Sequence, residues 1–318
     1  MKEPDILPQP ETVRVDGADI AAYVIKPEHG AAAADVVLCH GTPWSAAAWL
    51  PLVRALATRY RVFLWDMPGY GASIGDGDQQ HVDLLHQQRR LAALLDHWGL
   101  DRPHVLAHDI GGAVALGAHL LTSRDLASLY LLDVVVLDPW GSPFFRLVGD
   151  HEAVFAALPA NLHAALVHEY IAGAGGAGLD TAWVDELARP WCSPRGQRAF
   201  YRQIAQLRPE HTRLLVARLD QVRCPVRIGW GERDPWIPRA QATELASRLP
   251  GTVEVFSFPD AGHLVPLEAA DALARDVLTW LTAVTPADET FPDRSGMPTP
   301  ARSSLASVTQ ASASRRAH

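Results

Sequence analysis

The stretch that most constrains this chain is Pro103–His119, reading PHVLAHDIGGAVALGAH. A short apolar run, Val105-Leu106-Ala107, meets a polar turn at His108-Asp109 and then the pair Gly111-Gly112, which opens an Ala/Leu/Val helix. Ala107 and Gly111, two residues to either side of Asp109, are small enough for a strand and a helix to approach across a tight turn. Asp109 is then pushed out at the tip, over a helix N-terminus. Asp is also a favoured N-cap, so the turn alone leaves a plain capping role open beside a chemical one.

A carboxylate at such a tip has chemistry of its own. With a pKa of about 4 it is already ionised at neutral pH and needs no base to become a nucleophile. Attack on an ordinary ester would give an unproductive anhydride. Attack on an sp3 carbon bearing a leaving group gives an alkyl ester, which a His-activated water can hydrolyse. Asp109 therefore points to epoxides or carbon–halogen bonds.

The rest of the chain alternates around this unit. Thr12–Val15 and Ile20–Ile25 flank Asp16-Gly17 as a hairpin. Asp35–His40 and Tyr60–Trp65 are continuous apolar runs, as expected of strands buried on both faces of a parallel sheet. Helical spacing falls at Ala46–Thr58 and His81–Gly99, and Leu126–Val136 is again strand-like. From Pro139 to about Val222 the alternation gives way to helix throughout. It resumes with strands at Pro225–Trp230 and Val253–Phe258 and helices at Arg239–Arg248 and Ala269–Val284.

Three loops at strand ends complete a candidate site. Asp234 closes Trp230-Gly231-Glu232-Arg233-Asp234, and His263 closes Asp260-Ala261-Gly262-His263, each after a strand. His263 would take a proton from water while Asp234 holds its tautomer. Asp133, after the preceding strand, is the alternative acid; the Gly-x-x-Asp spacing favours Asp234. His40-Gly41-Thr42-Pro43 offers the backbone N–H of Thr42, which with that of Ile110 would form an oxyanion hole, and Thr42–Pro43 is expected to be cis. His40, Trp44, His108, Trp140, Tyr170 and Trp236 are candidates for the pocket, although tryptophans on such walls equally serve packing.

Residues 12–285 resemble the α/β-hydrolase superfamily, in the branch of epoxide hydrolases and haloalkane dehalogenases. His40-Gly41-Thr42-Pro43 is similar to the His-Gly-x-Pro motif of epoxide hydrolases, and His108-Asp109-Ile110-Gly111-Gly112 to their nucleophile segment. Ala107 departs from the usual first Gly. The resemblance implies an α/β-hydrolase fold, a mostly parallel sheet flanked by helices with a helical cap inserted after the sixth strand. The core would be 1–138 and 223–285 and the cap 139–222, and Asp109, Asp234 and His263 follow the family's order of nucleophile, acid and base. Phe200-Tyr201-Arg202 resembles the segment that carries a ring-opening tyrosine, which makes Tyr201 the proton donor and leaves Tyr170 as a cap-core aromatic. Ile110 stands where similar dehalogenases carry Trp. The haloacid pattern Asp-Arg-Gly-Gly-Arg is replaced by Asp109-Ile110-Gly111-Gly112-Ala113, so an epoxide is expected ahead of a halide. Haloalkane or haloacid dehalogenation, ester or C–C hydrolysis, and a non-catalytic ligand-binding member of the fold are the rivals.

Composition narrows the partners. A net charge of −8 over 318 residues disfavours nucleic acid and anionic membranes, leaving a small, largely apolar substrate and water. Cys39, Cys192 and Cys224 are odd in number and scattered, and the start MKEPDILPQPETV lacks an apolar core, so a cytoplasmic protein is expected. No cofactor and no metal are expected: His81 and His86 miss the i, i+4 spacing of a helical metal pair, and His151, His163 and His168 show no ligand pattern. Residues 286–318, rich in Pro, Ser, Thr, Ala and Arg without periodicity, read as a disordered tail.

Overall fold

The computed structural model describes residues 7–27, 30–75, 81–176 and 179–285; the expected tail at 286–318 lies outside the described residues. Eight strands form one sheet: β1 (Glu11–Val15), β2 (Ala18–Ile25), β3 (Asp35–Cys39), β4 (Arg61–Trp65), β5 (His104–His108), β6 (Ser128–Leu132), β7 (Val226–Gly231) and β8 (Glu254–Phe258). Their order across the sheet is β1-β2-β4-β3-β5-β6-β7-β8. β2 runs antiparallel to β1 and β4, and every pair from β4 to β8 is parallel. This is an α/β-hydrolase fold.

Strand alternation divides the core in two. Val37, Phe63, Val105 and Leu129 face one side, where they meet Leu91, Leu95 and Val114. Those last residues belong to helices α2 (Leu84–His97) and α3 (Ile110–Leu120). Val36, Val62, Leu106 and Tyr130 face the other side, against Leu52, Leu56, Val277 and Leu281. These lie on α1 (Leu50–Leu56) and α11 (Ala270–Val284). Both faces are dry, which explains strands that read as unbroken apolar runs.

Between β6 and β7 come α4 (Pro143–Ala156), α5 (Ala160–Ala172), α6 (Thr181–Ala188), α7 (Pro194–Gln206) and α8 (Pro209–Val216). Two contacts tie this insertion to the loop after β3: Trp191 Nε1 donates to Pro43 O at 3.0 Å, and Thr42 Oγ1 to Gln203 Oε1 at 2.7 Å. α9 (Ala240–Arg248) and the short α10 (Val265–Glu268) complete the chain's helices among the described residues.

Two elements are shorter than their sequence patterns suggest. β6 ends at Leu132 rather than Val136, because Asp133 takes φ 44° and turns the chain out of the sheet. α2 begins at Leu84 rather than His81, because the Asp83 carboxylate caps it by accepting the Leu85 and His86 N–H groups.

Candidate active site

Asp109 follows β5 directly at φ 53°, ψ −125°. Such a backbone costs of order 1–3 kcal/mol outside Gly and persists only where its surroundings impose it. Here the Asp109 N–H donates to Leu132 O at 3.2 Å, and its carbonyl accepts from Gly112 and Val135 N–H at 3.0 Å each. Missing side chains make the room. A Cβ on Gly41 would stand 2.4 Å from Asp109 Cβ, and one on Gly111 2.5 Å from Cys39 O.

The two oxygens of this carboxylate are placed differently. Oδ1 accepts the Thr42 N–H at 2.7 Å, while Oδ2 lies 3.4 Å from His263 Nε2, longer than a good hydrogen bond. The Thr42–Pro43 peptide is cis, as expected. Ile110, the other expected donor, opens α3 on the cavity wall.

On its far side, His263 Nδ1 is 2.8 Å from Asp234 Oδ2. Asp234 Oδ1 accepts the N–H groups of Trp236 and Ile237 at 2.7 and 2.9 Å, which locks the acid and the cavity-wall residues together. Burial alone would keep the His263 imidazole neutral. The carboxylates of Asp234 and Asp109 outweigh it and raise its pKa well above 6.5. His108 lies beneath, its ring 4.8 Å from that of His263, and donates from Nε2 to His263 O at 2.8 Å. Burial, reinforced by the charge of His263, pushes His108 down to about 3. Neighbouring imidazoles thus hold opposite charge states at neutral pH.

Asp133 does not reach His263 as a hydrogen-bond partner. Its Oδ1 accepts the Gly231 N–H at 2.7 Å, and Oδ2 is buried without a partner. Burial first, and the nearby Asp234 charge second, push this carboxyl well above the usual carboxylate range.

The cavity over Asp109 has a volume of about 240 Å³. Its floor is Thr42, Asp109 and Ile110; Trp140, Phe145, Tyr170 and Trp236 supply most of its aromatic wall. The Tyr170 ring meets that of Trp236 at 4.8 Å, tilted by 30°, and burial, then the Asp109 charge, hold its phenol protonated. Trp140 Nε1 is committed to Thr212 Oγ1 at 2.9 Å.

Several sequence expectations change here. Tyr201 does not line the cavity: it is wholly buried in the insertion, and its hydroxyl is 2.9 Å from His163 Nδ1. Tyr170, a pocket candidate also read as a packing aromatic, does line the cavity. His40 lies behind the site, bridging Gly41 O and the Met67 N–H at 2.8 and 2.9 Å. Trp44 backs Trp236 in a stacked pair at 5.8 Å, and His108 is underneath rather than on the wall. Sequence reasoning missed Gln203, whose Oε1 accepts from both Thr42 Oγ1 and the Tyr70 hydroxyl. Phe145 was missed too, although Ser142-Pro143 marks the helix start that places it.

Residues 36–276 match the model of the alpha/beta hydrolase family, and the chain belongs to that family. An alpha/beta hydrolase fold protein from Burkholderia ambifaria is 41% identical, with 86% of this chain and 98% of that one covered and a TM-score of 0.79. A 2-hydroxy-6-oxononadienedioate/2-hydroxy-6-oxononatrienedioate hydrolase of Dechloromonas aromatica is 25% identical over 85% of this chain and 94% of its own length. The epoxide hydrolase CorEH shares the fold at a TM-score of 0.72 and 20% identity, over 86% of this chain and 99% of its own.

Proposed function

We propose that this chain is a hydrolase whose Asp109 carboxylate attacks an sp3 carbon, foremost that of a small epoxide, through an alkyl-enzyme ester. The observation that carries the reading is the division of labour within one carboxylate. Oδ1 rests on the Thr42 N–H, where the oxyanion of ester hydrolysis would form, and Oδ2 faces His263. The 240 Å³ cavity suits small substrates, since drug-sized ligands fill roughly 300–1,000 Å³.

The steps balance as follows. Oδ2 bonds to an epoxide carbon as the carbon–oxygen bond breaks, and the Tyr170 phenol gives its proton to the departing oxygen. Asp109 loses its charge in becoming an ester, so one of the two carboxylates that hold His263 protonated is gone. The imidazolium then returns a proton to the Tyr170 phenolate and becomes a base. His263 takes a proton from water as the hydroxide attacks the ester carbonyl, and Thr42 N–H stabilises the oxyanion on Oδ1. Collapse releases the diol, and the proton left over restores the His263–Asp109 ion pair.

The test is a His263→Gln variant incubated with small terminal epoxides. An adduct equal to the substrate mass, on the peptide containing Asp109 and absent in Asp109→Asn, is expected. An adduct elsewhere, or full turnover in Asp109→Asn, would overturn the mechanism. Halide release from haloalkanes outpacing epoxide hydration would move the substrate class to the dehalogenases.

A further inference from the structure

The absence of helical i, i+4 spacing made His81 and His86 unpromising as metal ligands, but His81 lies outside the helix. The chain bends at Asp83, the N-cap of α2, and brings the two imidazoles face to face, with centroids 4.6 Å apart and planes 12° from parallel. Asp83 completes the group, and one ligand-capable atom from each of the three lies within 4.8 Å of the others. We propose that His81, Asp83 and His86 form a binding site for a divalent transition metal ion such as Zn2+, separate from the Asp109 cavity.

The chemistry and the surroundings both suit it. Two neutral imidazoles and a carboxylate are the borderline donors that Zn2+ and its neighbours select, and water or a fourth side chain can fill the remaining position. Ligand atoms around tetrahedral zinc stand about 3.5 Å apart, so side-chain rotations of about an ångström close the set. His81 is exposed and the other two are half-buried, which leaves that freedom and an entry path.

The backbone is already fixed. Asp83 Oδ1 accepts the N–H groups of Leu85 and His86 at 3.0 and 3.2 Å, and Oδ2 lies 2.6 Å from His86 Nδ1. The two N–H bonds to Oδ1 hold the carboxylate from outside the ligand set, as metal sites do, while the Oδ2–Nδ1 contact joins two of the ligands and would give way to the ion. Arg90 NH1 holds the His81 carbonyl at 2.6 Å, and its charge acts on Asp83.

The cluster also sits where the core meets the insertion. Val82 N–H donates to Gln206 Oε1 of α7 at 2.8 Å. His211 of α8 is close enough for its charge to act on Asp83, and its Nδ1 is buried without a partner. A bound ion would therefore order the start of α2 at the point where it meets α7 and α8.

Protein without a polyhistidine tag, stripped with chelator, is titrated with Zn2+ alone by calorimetry and then with Co2+ by visible absorption. One equivalent is expected to bind, with a rise in melting temperature and a cobalt d–d band. A His81→Gln/His86→Gln double variant should bind at least about tenfold more weakly and lose the band. Its metal-free circular dichroism and epoxide turnover should match the wild type. Absence of saturable binding near one equivalent, or equal affinity in the variant, would overturn the site. Were the double variant poorly folded, His81→Gln alone, altering an exposed residue outside the helix, carries the same comparison.

Discussion

The cavity has two walls of different construction. On the sheet side, Asp109, Thr42, Asp234 and His263 stand in loops at strand ends and are held by backbone hydrogen bonds and by glycines with no spare volume. On the insertion side, Phe145 and Tyr170 hold position by ring packing, with Tyr170 in contact with Phe144, Phe145 and Trp236, and Trp140 is held by its bond to the Thr212 hydroxyl. One wall is fixed to fractions of an ångström by the main chain; the other can be reshaped by changing side chains. The first suits positioning of reacting atoms, and the second suits choice of substrate.

Breaking the sheet-side wall should cost most. Asp234→Asn keeps the shape but removes the charge and puts an amide donor where the acceptor that orients His263 stood, so turnover should fall by about 10³–10⁴. Asp133→Asn, at a side chain bonded to the Gly231 N–H and not to His263, should lose less than about tenfold. Steady-state rates of the pair check this, and equal losses would mean that the two acids share the role. Gly41→Ala comes next. Its Cβ would overlap Asp109 Cβ at 2.4 Å, and displacement by about an ångström costs about 100-fold in rate. A Gly41→Ala enzyme within tenfold of wild type would show that the nucleophile tolerates movement.

The helical wall should respond more gently and more selectively. Tyr170→Phe removes the phenol above Asp109 and should slow adduct formation with epoxides by about 10- to 100-fold. Tyr201→Phe loses only the hydroxyl that meets His163 and should leave that rate within about threefold. Burst-phase measurements decide between them; the reverse order would return the proton-donor role to Tyr201.

The same contrast explains what the sequence made legible. Asp109, Asp234, His263 and Thr42 each follow a strand of the parallel part of the sheet, which brings its strand ends to one edge whatever the side chains between them. The insertion has no such rule. A helix turns a new face every 100° or so, and which tyrosine meets the cavity depends on where α5 and α7 settle against their neighbours. Tyr201 found His163, a partner set by that settling alone. The approach of His81 to His86 was hidden for a local reason: helical spacing was applied to His81, whereas the Asp83 cap keeps it out of α2.

The smallest effect concerns the rigid wall's cost in acid. His104 and His108 occupy the two ends of β5, both buried, and burial pushes them down to about 4 and about 3. Their unfolded-state value is 6.5, so between that pH and about 4 the unfolded chain binds protons that the folded chain refuses. The sign follows: stability is fully present above 6.5 and falls as pH falls, by up to about 1.4 kcal/mol per pH unit for each group. His263 works the other way but adds nothing in this window, because below 6.5 it is protonated in both states. His104 is the better probe, standing at the far end of β5 from Asp109 and bonded to Ser128 and Thr285 hydroxyls at 2.8 and 3.2 Å. In His104→Gln, denaturant unfolding followed from neutral pH into this window should show a shallower decline, by up to that one-group amount. An unchanged slope would mean that His104 takes up its proton in the folded chain, and that the foot of β5 is less tightly closed than the site at its tip.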